Sequence, residues 1–144
     1  MKKLFALTVL AFALDLAIPP ARAQAQQVLP TSYWAMVSAP AAATQATVSR
    51  PADTNGRHFI GSITVCVSTA AAQTPIVFNL RDGATGAGTV LWTVTLSVVA
   101  GNSWCQTANV NNIGSNNTAM TLESAGAPAA TNFASVSLNG FTTY

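Results

Sequence analysis

From residue 59 onward the chain runs in short stretches of alternating apolar and polar side chains. In "FIGSITVCVS" (59–68), Phe59, Gly61, Ile63, Val65 and Val67 share one face, and Ile60, Ser62, Thr64, Cys66 and Ser68 share the other. "PIVFNLR" (75–81) sets Ile76, Phe78 and Leu80 against Val77, Asn79 and Arg81. "TVLWTVTLSVV" (89–99) gathers Val90, Trp92, Val94, Leu96 and Val98 and turns Thr93, Thr95 and Ser97 away. In "SWCQTANV" (103–110), Trp104 and Val110 oppose Cys105 and Asn109, which places Trp104 in the core. In "TAMTLES" (118–124), Met120 and Leu122 oppose a solvent-facing Glu123. In "NFASVSLNGF" (132–141), Val136 and Leu138 point inward and Ser135 and Ser137 outward. A period of two is that of strands, whose Cβ atoms alternate between faces.

"SYWAMVS" (32–38) supplies a first strand. The alanine-rich connector after it (39–46) is short and holds Pro40, which argues against a helix. Two other connectors, "STAAAQTPI" and "SAGAPAATN", share its chemistry at irregular spacing, so they are similar loops rather than a repeat. The fold class predicted is all-β: a single antiparallel β-sandwich, jelly-roll-like, of about eight strands.

The first residues follow another pattern. Lys2 and Lys3 precede an apolar stretch (4–18), then Pro19, Pro20 and Ala21-Arg22-Ala23. This is the pattern of a secretory signal cleaved after Ala23. The stretch is short for a membrane span, and Asp15 near its middle would be costly there. The expected organisation is a signal peptide over 1–23, a loose leader over 24–32 and the sandwich over 33–144, with an extracytoplasmic location and no transmembrane segment after cleavage.

Cleavage changes the electrostatics. Lys2, Lys3, Asp15 and Arg22 leave with the signal, so Arg50, Arg57 and Arg81 balance Asp53, Asp82 and Glu123. The remaining chain is neutral and lacks lysine. A nucleic-acid partner requires basic side chains to neutralise phosphates, so that class is set aside. Weak repulsion between copies permits self-association. Cys66 and Cys105 are the two cysteines. Export makes a disulfide between them plausible, and closing that loop would stabilise the fold by about 4 kcal/mol. Two free thiols or a bond to another chain are the alternatives. Both cysteines fall on polar faces, so a bond within the chain would be an outer-surface staple between neighbouring strands.

The remaining chemistry is sparse. "NLRDGATGAGTVLW" (79–92) carries three glycines but runs G-x-x-G-x-G into a strand, with no helix N-terminus to hold a phosphate. It reads as a hairpin turn. His58 is the single histidine, no G-x-S-x-G elbow accompanies it, and it sits at the start of a strand beside Arg57. Asp53 and Asp82 lie in expected turns. A metal site is not expected, since one histidine and no C-x-x-C spacing offer few ligands. No catalytic residue and no cofactor is implied. Tyr33 and Trp34, near the start of the domain, are the aromatic residues placed for ligand contact, with carbohydrate as the class that stacks on such rings. Asn116-Asn117-Thr118 is formally a glycosylation sequon in an asparagine-rich run, read here as a turn-forming loop.

The "LRDGATGAGTVLW" hairpin and the closing "ASVSLNGF" strand resemble a jelly-roll-like β-sandwich module of bacteriophage virion and tail-associated proteins, over about residues 58 to 141. The resemblance implies a structural or adhesive role, often in oligomers, and carries no site residues. A secretion signal and two cysteines depart from that pattern and suggest a module exported by a bacterium. The leading expectation is therefore a secreted, non-enzymatic sandwich with a structural, adhesive or assembly role, meeting itself or a cell-surface or extracellular partner. A small carbohydrate- or ligand-binding module is the second. A small outer-membrane barrel is the third, since the chain ends in the aromatic Tyr144, although residues 24–144 are few for eight spanning strands.

Overall fold

The computed structural model describes residues 31–71 and 75–144. The expected signal peptide (1–23) and most of the expected leader (24–32) lie outside the described residues. The strands are β1 (Thr31–Val37), β2 (Ala41–Ala42), β3 (Thr47–Arg50), β4 (Arg57–Ser68), β5 (Ile76–Asp82), β6 (Thr89–Leu96), β7 (Ser103–Ile113), β8 (Met120–Ser124) and β9 (Phe133–Thr143). Among the described residues no helix is long and apolar enough to cross a membrane.

The pairing nests like a folded ribbon. β5 pairs with β6, β4 with β7, β3 with β8 and β1 with β9, all antiparallel. Pairing of β4 with β9 and of β5 with β8 then completes two sheets, β1-β9-β4-β7 and β3-β8-β5-β6. β2 also pairs with β9 and continues the edge that β1 begins. The nine strands thus make eight strand positions. Nested hairpins split between two sheets are the jelly-roll arrangement. Neither sheet closes on itself, so the small-barrel expectation is corrected: the strands enclose an apolar interior between two open sheets. That interior is built from Ile60, Ile63, Val65 and Val67 of β4, Phe78 and Leu80 of β5, Met120 and Leu122 of β8, and Val136 and Leu138 of β9.

Strict alternation fails at two places, and each has a local cause. In β4 the register slips between Ile60 and Ser62: Ile60 faces Gly140 of β9, while Ser62 faces the next residue, Asn139. Gly61 is the extra residue of a β-bulge. Upstream of it the faces exchange, so His58 and Ile60 are buried and Phe59 turns outward, the reverse of the pattern expected. In β6 a second slip pairs Leu80 with Trp92 but Arg81 with Val90. Val90 is consequently 44% exposed rather than in the core.

Two further expectations are corrected. Trp104 opposes the buried Val67, so it is on the inner side, yet β7 is an edge strand and the ring is 61% exposed. Glu123 is on the outer side of β8, yet only 1% exposed, because the β5–β6 loop folds over it. β3 was not anticipated. Its four residues carry a single apolar side chain, Val48, too few to show a period.

Candidate functional site

The glycine loop is the first candidate to be settled by geometry. It joins β5 directly to β6 as a hairpin, as the sequence indicates. Gly83, Gly86 and Gly88 all have positive φ, and a Cβ at Gly88 would lie 2.1 Å from the Asp82 carbonyl oxygen. Its amides serve the fold. Gly83 N–H donates to the Ala119 carbonyl, and Gly86 N–H donates to Glu123 Oε2 at 2.9 Å. The other carboxylate oxygen of Glu123 accepts from Arg81 Nε at 2.6 Å. The loop therefore holds an internal anion. Asp82 likewise accepts from Ser115 N–H and Ser115 Oγ and ties down the loop after β7.

His58 sits at the start of β4, beside Arg57, as the sequence indicates. It is fully buried beneath the loop between β3 and β4. Its Nε2 lies 2.8 Å from the Pro51 carbonyl, which can only accept, so the neutral ring carries its proton on Nε2. Nδ1 then accepts from the Thr142 hydroxyl at 2.8 Å, and that oxygen accepts from Trp34 Nε1 at 3.1 Å. Every donor in the chain Trp34–Thr142–His58–Pro51 has an acceptor. The Arg50–Asp53 pair sits above it, with the Arg50 guanidinium over the Trp34 ring. Among the described residues, no three His, Cys, Asp or Glu side chains converge in a way that would hold a metal ion.

The cysteines pair within the chain. Cys66 and Cys105 are directly opposed on β4 and β7, with Cα atoms 4.1 Å apart and a 2.05 Å S–S bond. The bond lies on the outer face of the β1-β9-β4-β7 sheet, as expected from parity downstream of the bulge.

That same outer face carries a shallow concave surface. Register places Tyr33, Phe141, Phe59 and Ile113 side by side across all four strands. Phe59 and Phe141 stack at 4.7 Å between ring centroids, and Tyr33 lies 5.6 Å from Phe141. The next row along the strands is Ala35, Asn139, Ser62 and Asn109. Between the aromatic row and the amides lies a shallow trough of about 670 Å³. Gly61 leaves its floor low, Gly140 adds backbone to that floor, and Asn111 joins its wall. Asn111 is the residue where β7 slips against β4, and its φ is 48°.

Of the two aromatic residues expected at a ligand site, Tyr33 is 79% exposed on this face. Trp34 turns inward by strand parity, packs on the core and lies edge-on to His58, so it reaches only the trough's floor beside Gly140. Phe141, Phe59, Asn109, Asn111 and Asn139 were missed. Their shared face is a product of pairing between distant strands and of the Gly61 bulge, which alternation within one strand does not reveal.

No family model matches the chain, and no curated protein matches it. Among solved structures, the coat protein of tobacco streak virus is similar over 81% of this chain and 88% of its own, with 9% identity and a TM-score of 0.36. A protein of Bacillus endospore appendages, described as disulfide-linked pili, is similar over 77% and 88%, with 16% identity and a TM-score of 0.27. A nora virus chain is similar over 78% of this chain and 56% of its own, with 13% identity and a TM-score of 0.29. A viral coat protein is thus among the weak structural neighbours of this chain. Overlap this partial carries nothing on function, and the jelly-roll assignment stands on the strand order.

Proposed function

We propose that this chain is an exported, non-enzymatic structural module that acts by associating with copies of itself. One observation carries the reading. β7 is an open edge of 11 residues with no charge and no proline. Edge strands usually carry such devices to prevent pairing with another chain. β7 has one interruption, the slip near Asn111, and pairs in unbroken register from Ser103 to Asn109. Its inner side adds partly exposed apolar groups, Trp104, Ala108 and Val110, that a neighbouring strand would cover. The balanced charge of residues 24–144 removes long-range repulsion between copies. The exposed disulfide staples the same edge to β4 and suits an oxidising compartment.

Size-exclusion chromatography with light scattering on the exported chain tests this. The expected result is mass that rises with concentration, and a Trp104→Lys variant shifted toward monomer. A strictly monomeric protein at high concentration would remove the reading. A second reading, a carbohydrate-binding module, is favoured by the exposed aromatic row on the outer face.

A further inference from the structure

We propose that the trough beside Tyr33 and Phe141 is a binding site for an uncharged sugar chain. The proposal rests on the second reading above and assigns it a place. The two walls are chemically different. The exposed Tyr33 and the half-buried Phe141, on which Phe59 stacks, give one wall an apolar aromatic surface against which the C–H faces of a pyranose can pack. Asn109 and Asn111 present exposed side-chain amides opposite, each able to donate and accept, which suits neighbouring hydroxyls. Among the described residues neither amide is engaged by another side chain or backbone group.

Among the described residues no acidic or basic side chain lines the trough, so it offers a charged ligand no ion pair. The nearest charge along β4 is Arg57, beyond Phe59 on the far side of the aromatic row. Tyr33, Phe141 and Phe59 stand on three neighbouring strands at about 4.8 Å spacing, so the aromatic row spans about 10 Å.

The backbone supports the same assignment. Two departures from regular pairing meet at this one spot: the bulge at Gly61 and the left-handed Asn111. Bulges of this kind re-aim side chains and gather near functional surfaces. Here the first places Phe59 outward beside Phe141 and leaves a floor without a side chain, and the second belongs to the amide wall. A Cβ at Gly61 would meet nothing nearer than the Asn139 carbonyl at 3.9 Å, and its φ is not left-handed. Neither packing nor backbone geometry therefore demands glycine there. An open floor is what glycine contributes.

The test is calorimetry of the exported chain with cellopentaose and chitopentaose, preceded by an array of neutral and acidic glycans. The expected result is binding of a neutral oligosaccharide, weakened about tenfold by Tyr33→Ala and by Asn109→Ala, both at exposed positions. Gly61→Leu, which fills the floor, is expected to abolish it while thermal unfolding stays cooperative. Absence of any glycan signal would remove both the carbohydrate reading and the site. Neutral glycan binding that survives all three substitutions would keep the reading and overturn the trough. Binding of acidic glycans alone, or substitutions that change only self-association, would also overturn it.

Discussion

Glu123 illustrates how far a single position can depart from its strand pattern. Alternation puts it on the outer side of β8, which is correct, but the glycine hairpin closes over it and makes its carboxylate the shared acceptor for Arg81 and Gly86. Glu123→Gln keeps the shape but leaves one of these two donors without an oxygen. The expected cost is about 1.5–3 kcal/mol, the range for hydrogen bonds to a charged group, read as a lowered urea midpoint. Gly88 is the complementary case. Its φ of 80° and the 2.1 Å approach of the Asp82 carbonyl leave no room for a side chain. Gly88→Ala is expected to destabilise the fold by about 2–3 kcal/mol in the same experiment, whereas Gly86→Ala, with nothing within 4 Å, costs less. Equal effects at the two glycines would contradict this account of the hairpin.

The strands themselves were largely legible, because half-buried antiparallel strands write their period into the sequence. β5, β8 and β9 have the inward residues that alternation assigns: Phe78 and Leu80, Met120 and Leu122, Val136 and Leu138. What alternation cannot locate is a bulge. One inserted residue, Gly61, reversed the faces of His58, Phe59 and Ile60, and with them the identity of the candidate site. Edge position is equally invisible locally, which is why Trp104 reads as core and is exposed. The disulfide was legible as an outer-face staple between neighbouring strands, since its position depends only on parity downstream of the bulge. It closes a separation of 39 residues. Replacing both cysteines by alanine is expected to lower stability by about 4 kcal/mol on the chain-entropy account, measured by denaturant unfolding. No loss in the double variant would show that pairing of β4 with β7 alone already restrains that loop.

For the whole molecule, the sandwich and its jelly-roll winding follow from nested antiparallel pairs, and the sequence pointed to both. The use made of its surfaces did not follow, because it depends on which strands end up at edges and which residues share a face after folding. Three of the four edge strands, β1, β6 and β7, carry no charged side chain. With no net charge between residues 24 and 144, the molecule has little to keep copies apart. Association by strand addition at β7 is tested by backbone hydrogen exchange of the chain at low and high protein concentration. The account predicts that amides between Ser103 and Asn109 gain protection as concentration rises, while those of the central strands β4 and β9 do not change. Unchanged exchange along β7 at concentrations where the protein associates would contradict it.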